Sequence, residues 1–409
     1  MASHVARMAG SDSNSGSGSG SGSDSGSESG SDSDNDSYAD FNEEYFSRVF
    51  EQEKMVSDVH RMDFYHAVVA NAVGAAASPP VVLDVGTGTG CLAAWAEKAG
   101  AKKVYVGEGA AAAAAAAAAT AAALVPTQLR YAFDHSVHAL ELAATLAEEN
   151  GCEKIEFMCG HSSEFQCPEP VDIIVHEQLG DVLFDEQVVR TVTDLRDRVL
   201  RPGGAIVPAR LSLRVEPVKL ADDRHVPMMR DIESHGLSFA CLQPLVRPQN
   251  EDPDYHHFRS SDPSLVDFFL ADPANSEAAW SVDLHTVAPD ATGDHKTLRF
   301  SRTVTKAGRL DALCVYFDAF GDAPGHSAAA APTITSGPFA HRAAHWGFRL
   351  LRVPTATFAE GDVIDVEMHV LGSSWEDLNG WRWRVTDRKA KKQKQKKQRD
   401  GGKAKKRQR

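Results

Sequence analysis

The chain has 409 residues, 42% hydrophobic and 24% charged, with a formal net charge of -14. That length exceeds one small domain and suits two domains, or one large domain with tails. The charge is uneven. Residues 1–40 carry Arg7 against seven acids (Asp12, Asp24, Glu28, Asp32, Asp34, Asp36 and Asp40), a net of -6, whereas residues 388–409 carry thirteen Lys/Arg and one acid, Asp400, a net of +12. Removing both tails leaves residues 41–387 at -20. So acidic a body argues against gripping a nucleic-acid backbone and favours a cationic partner or substrate. Cys91, Cys152, Cys159, Cys167, Cys241 and Cys314 form no CxxC pair. With no signal-peptide pattern, reduced thiols in a cytoplasmic or nuclear protein are expected. No run of ~18 strongly apolar residues predicts a membrane span.

Residues 9–37 are almost entirely Ser, Gly, Asp, Asn and Glu and predict a disordered acidic tail over 1–40. Its acid-flanked serines resemble sites for acidophilic kinases; a plain solvating tail is the simpler reading. Helical spacing follows at Tyr45, Phe46, Val49, Phe50, Met55, Val56 and Val59, and again over 64–73, stopped by Ser78-Pro79-Pro80. The run 81–85 predicts a buried parallel strand, Gly86-Thr87-Gly88-Thr89-Gly90 a tight turn, 91–98 a helix and 103–107 a second strand ending at Glu108. Ten consecutive alanines within an insertion at 109–130 offer no chemistry and suit a tolerated surface segment. Strands at 155–158, 171–176 and 204–207, alternating with helices at 133–149 and 186–199, complete a doubly wound α/β domain over 41–208. Beyond Pro208, strand-like runs at 211–215, 279–284, 297–304, 312–317, 345–351, 363–370 and 381–385 predict a mostly antiparallel β domain over 209–387, a barrel or sandwich. Residues 222–262 have helical and loop character, and 388–409 form a basic tail expected to be disordered.

Chemistry concentrates at the first turn. Glycines admit close backbone approach and lead into a helix N-terminus with free N–H groups. The spacing Asp84-x-Gly86-x-Gly88-x-Gly90 differs from the dinucleotide GxGxxG, and Glu108 is placed to accept from two ribose hydroxyls. This pattern resembles class I S-adenosylmethionine methyltransferases. Met55, Asp58, Arg61 and Tyr65 resemble the helical signature M-L-x-D-x-x-R-x-x-x-Y of protein arginine N-methyltransferases. Glu177 and Glu186, nine positions apart around Gly180, resemble that family's double-glutamate loop. Ala344-His345-Trp346 is similar to its Thr-His-Trp loop, with Ala replacing Thr, and the run 313–320 to its strand W-F-D-x-x-F. These matches keep the family's order and cover about residues 45–385. The HSSE string at 161–164 is closer to the type III (arginine methyltransferase seven) subgroup.

The resemblance implies a Rossmann-like S-adenosyl-L-methionine domain followed by a β-barrel with a helical dimerisation arm at 222–262, assembling as a homodimer. It implies cofactor contacts from Gln52, Arg61, Asp84, Gly86, Gly88, Gly90, Glu108, Ser162 and Ser163, with Arg61 on the methionine carboxylate. Glu177 and Glu186 are the expected catalytic pair: two carboxylates hold a guanidinium, a poor nucleophile, and aim one nitrogen. Asp58 and His345 are the expected proton-handling pair, and Met55 and Trp346 the substrate contacts. Simpler readings stand beside these: Glu186 as a helix N-terminal acid and Trp346 as core. No histidine spacing suggests a metal. The implied activity is methyl transfer to arginine in proteins, with RNA-binding proteins or histones as substrates. The alternative is a catalytically weak scaffold or regulatory subunit binding protein or RNA. The basic tail resembles a nuclear address or an RNA-contacting segment, or lies across the acidic body, or is a solvated charge run.

Overall fold

The structure, a computed structural model, describes residues 49–108, 137–159, 165–247, 253–293, 295–321, 331–339, 345–370, 378 and 380–388. Both tails, the alanine-rich insertion, the HSSE segment with Ser162 and Ser163, and Ala344 lie outside the described residues, as does the side chain of Glu108.

Two helices come first, α1 (Val49–Ser57) and α2 (Val59–Ala75). Asp58 caps α2, its carboxylate accepting from the Arg61 amide. Buried Arg61, Phe64, Tyr65, Val68, Val69, Ala72 and Val73 fall at three- and four-residue intervals, so α2 presents one continuous face inward. The α/β unit then runs β1 (Val81–Val85), α3 (Cys91–Lys98), β2 (Lys103–Glu108), α4 (Val137–Glu149), β3 (Ile155–Cys159), β4 (Val171–His176), α5 (Val188–Arg198) and β5 (Leu200–Val207). The strands form a parallel sheet in the order β3-β2-β1-β4-β5. Every residue of β1 is buried, as a central strand covered on both faces requires. β1 and β4 are neighbours in register, Val85 opposite His176, so the glycine turn and Glu177 leave the sheet side by side at its carboxyl edge. In open α/β sheets that edge, where the strand order reverses, is where ligands bind.

β6 (Arg210–Leu220) opens the antiparallel part. The arm follows, with the hairpin β7 (Glu233–Ser234) and β8 (Leu237–Ser238), and then β9 (His257–Ser260), β10 (Val266–Phe268), β11 (Trp280–Asp283), β12 (Lys296–Thr303), β13 (Gly308–Phe320), β14 (Thr333–Thr335), β15 (Phe348–Phe358), β16 (Val363–Val370) and β17 (Trp381–Arg388). Among the described residues these strands pair as a seven-stranded sheet, with path β10-β6-β13-β15-β9, and a three-stranded sheet β12-β16-β17, rather than as a closed ring. Among the described residues, the helical character of the arm takes the form of short 3₁₀ turns and one four-residue α-helix at Pro253–His256. Pro244 inside the turn Ala240–Leu245 is incompatible with a regular helix there. The main hydrophobic core runs without a break from Val82 and Ile174 through Leu213 and Val315 to Val366 and Trp381. The expected boundary near 208 is thus a change of topology within one core. Val68 of α2 packs against Gly321 at the end of β13, where a Cβ would sit 1.9 Å from its methyl.

Gly90 has φ +79, and a Cβ there would lie 2.8 Å from that of Ala143 on α4. Gly90→Ala combines left-handed strain with overpacking and should cost about 2–4 kcal/mol, read as a lower denaturant midpoint with an unchanged slope. An unchanged midpoint contradicts this packing.

Candidate active site

The glycine turn is held from below by Asp84. This residue is fully buried, and its Oδ2 accepts from Thr87 Oγ1 at 2.9 Å and from the Ala93 amide at 3.1 Å. Its Oδ1 is buried without a partner. Burial raises the Asp84 carboxyl to about 7, against the lowering effect of those two hydrogen bonds. Gly86, Gly88 and Gly90 all have positive φ, so the turn exposes backbone where side chains would stand. Gln52 of α1 is buried against it, with Oε1 3.1 Å from where a Gly88 Cβ would be.

Arg61, one turn into α2, is 6% exposed and points at the end of β4. Its Nη2 donates to Glu177 Oε2 at 2.8 Å and its Nη1 to the carbonyl of buried Met55 at 3.3 Å. Burial opposes the charge on Arg61, yet Glu177 prevails and raises its pKa above the usual range. The Arg61 Nε remains buried without an acceptor. Arg61 therefore grips the first glutamate, a contact absent from the role implied by the sequence. Tyr65, on the same face, is fully buried with an unpartnered hydroxyl. Burial first, and then Glu177, push that phenol well above its ordinary value.

The segment between the glutamates folds tightly. The Leu183 amide donates to the Gly180 carbonyl at 2.9 Å, and Leu183 and Gln187 take positive φ values of 75 and 54. Left-handed non-glycine residues cost about 1–3 kcal/mol each and persist only where the surroundings hold them. Gly180 has no room for a side chain, since a Cβ would lie 2.0 Å from Asp185 Oδ1. Asp185 is buried; burial first, and then Asp181, raise its carboxyl to about 7. Burial, followed by Glu177, Asp185 and Asp181, raises the Glu186 carboxyl well above the carboxylate range. Among the described residues Glu186 makes no hydrogen bond or ion pair. Glu186 precedes α5, but Gln187 occupies the cap position, and four carboxylates crowd here. A helix-dipole role alone does not account for that crowding.

His345 and Trp346 approach from the β domain. Asp58 Oδ2 accepts from the His345 backbone amide at 2.7 Å, and the His345 Nδ1 is buried without a partner. The expected Asp58–His345 contact thus exists through the main chain, not the imidazole. Burial lowers the His345 pKa, with Glu177 raising and Arg61 lowering it. Trp346 is 3% exposed, packs edge-on against Phe317 at 5.1 Å, and donates its indole N–H to the Leu179 carbonyl. It serves as a pin between the β domain and the glutamate loop, closer to the core reading than to an open substrate contact.

The structure therefore brings together Met55, Asp58, Arg61, Glu177, Glu186, His345 and Trp346, with Gln52, Asp84, Gly86, Gly88 and Gly90 beside them. Asp181 and Asp185 carry further charge in the same region that the sequence motifs did not single out. Four acids within ten residues, at 177, 181, 185 and 186, were the available signal.

Asp84 supplies a test in pH. Its folded pKa of about 7 exceeds the unfolded value of about 3.9. The native state binds the extra proton between those values. Its contribution is therefore complete below about pH 4 and is lost as pH rises through about 7. In urea unfolding at about pH 5 and pH 7.5, Asp84→Asn should gain stability relative to wild type at the higher pH. An equal difference at both values contradicts the assignment.

Known proteins resemble this chain in sequence and in fold. No model of a protein family matches the chain. It is 27% identical over 346 residues to protein arginine N-methyltransferase PRMT10 of Oryza sativa subsp. japonica, covering 80% of this chain and 82% of that protein. It is 26% identical over 276 residues to protein arginine N-methyltransferase 6 of Danio rerio, covering 66% and 68%. Among solved structures, the PRMT1 enzyme–prozyme heterotetrameric complex with AdoHcy from Trypanosoma brucei superposes with a TM-score of 0.63 at 22% identity, covering 84% of this chain and 95% of that one. Arabidopsis thaliana protein arginine methyltransferase 10 does so with a TM-score of 0.60 at 20% identity, covering 84% and 99%. Through its ordered motifs, its parallel-plus-antiparallel architecture and these relatives, the chain is similar to protein arginine N-methyltransferases over most of its length.

Proposed function

We propose that the chain transfers a methyl group from S-adenosylmethionine to a guanidinium nitrogen of arginine in proteins. The observation that carries this reading is the convergence of Glu177 and Glu186 at the sheet edge where the glycine turn also emerges. The residues present suit the cofactor. Three left-handed glycines permit close approach, the Arg61 Nε–H is buried without an acceptor, and Asp84 Oδ1 is buried without a donor. Gln52, Arg61, Gly86, Gly88 and Gly90 would hold it, with Glu108 at the end of the neighbouring strand β2. When bound, the cofactor supplies an electrophilic methyl on a sulfonium sulfur.

The chain's own residues bind and aim the guanidinium. Arg61 fixes Glu177 at 2.8 Å, so one carboxylate of the pair is oriented before substrate arrives. Glu186, crowded by like charge and without a cation of its own, gains most from a planar guanidinium fork. Held by both acids, the guanidinium concentrates its positive charge away from the free nitrogen, which becomes the better nucleophile. The His345 imidazole, kept neutral by burial and with an unpartnered Nδ1, is the candidate proton acceptor, and Asp58 positions its backbone.

The body charge of -20 supports arginine-rich substrates such as RNA-binding proteins or histones. Leu237, Leu242 and Leu245 of the arm are exposed, at 64%, 38% and 76%, which supports a homodimer through that arm.

The test uses labelled S-adenosylmethionine, an arginine-rich peptide and separation of the methylarginine products. Wild type should form methylarginine. Glu177→Gln should lower kcat/KM at least about a hundredfold, in line with losing a preorganised electrostatic contact. Undiminished methylation by that variant overturns the double-glutamate reading.

A further inference from the structure

We propose that Asp181 is the positioning residue that sets the glutamate loop against the His345 segment, an inference resting on the arginine methyltransferase reading. Asp181 lies between the two glutamates in sequence, yet its carboxylate faces the β domain. It accepts from Arg259 Nε at 2.6 Å and Nη2 at 3.2 Å, and from the Gly347 amide at 2.8 Å. Arg349 Nη2 stands 3.4 Å away. Burial works against the ionised form, but the Arg259 contacts overcome it and hold the Asp181 carboxyl below its ordinary value.

The surrounding geometry is built for this contact. Arg259 of β9 and Arg349 of β15 are directly opposed across the strand pair. Like charges so placed repel, and Asp181 is the anion shared between them. Gly347 leaves space for the arginine, since a Cβ there would fall 2.7 Å from Arg259 Nε. Arg259 Nη2 also donates to the His345 carbonyl at 3.3 Å, and Trp346 donates to Leu179 two residues before Asp181. One carboxylate thus ties β9 and the start of β15 to the loop that carries Glu177 and Glu186. The positive φ values of Leu183 and Gln187 on the far side need such external restraint. Asp181 touches neither glutamate in a hydrogen bond. It acts by keeping their spacing, and its charge is already spent on two arginines rather than offered to substrate.

Asp181→Asn tests the proposal in the full chain by two readouts. Amide hydrogen exchange should accelerate within 177–187 and 345–349 and stay unchanged in β1, β2 and β3. With methylation assayed in parallel, kcat should fall at least about tenfold while the KM for S-adenosylmethionine stays within about twofold. Adding Arg349→Gln removes one of the opposed charges and should restore slow exchange and part of kcat. Exchange that is unchanged, or that rises uniformly over the molecule, overturns the proposal, as does a wild-type kcat in an active preparation. A wild type that does not methylate arginine would instead sink the parent reading, and the exchange pattern would still decide the role of Asp181.

Discussion

Too many carboxylates share too little water at one edge of the parallel sheet, and much of this molecule is organised around that constraint. Asp84, Glu177, Asp181, Asp185 and Glu186 lie around the ends of β1 and β4, where isolated charges are costly. Each is handled differently. Asp84 turns inward to brace the glycine turn. Glu177 takes Arg61. Asp181 takes two arginines from the β domain. Asp185 is packed beneath Gly180 with its carboxyl shifted upward. Glu186 alone is left to a cation from outside. On the proposed reading a substrate guanidinium balances that last acid, which makes the electrostatics of the fold and the chemistry of the site one problem.

That solution needs both halves of the chain. The cations that settle the glutamate loop come from α2 on one side and from β9 and β15 on the other. The main hydrophobic core, continuous from the parallel sheet into the antiparallel sheets, holds these elements in fixed relation. Trp346 reaches across as a pin, and Gly321 lets α2 sit directly on the end of β13. The β domain therefore contributes the frame in which the catalytic loop keeps its shape.

The α/β half was largely legible because its signals are local. The apolar run 81–85, the GTGTG turn and the strand ending at Glu108 each announce themselves within a few residues, and β1, α3 and β4 match their expected bounds. The antiparallel half was harder. β13 spans Gly308–Phe320 with nearly every residue buried, so alternation marked only its middle. β9, β10 and β14 have three or four residues each and carry no periodic signal. Lys-free but arginine-bearing positions such as 259 and 349 look like ordinary surface charge until the pairing of β9 with β15 sets them face to face. Likewise motif order pairs Asp58 with His345, but their contact runs through a backbone amide, which no side-chain pattern marks.

The central claim is that Glu186 waits for a guanidinium. Burial and three neighbouring acids push its carboxyl well above the carboxylate range, and a bound cation opposes that shift. Calorimetric titration of an arginine-rich peptide into the protein at about pH 6, in buffers of different ionisation enthalpy, counts the protons released on binding. The account predicts net proton release on binding that disappears in Glu186→Gln. Binding without proton release, or release equal in the two proteins, would contradict it.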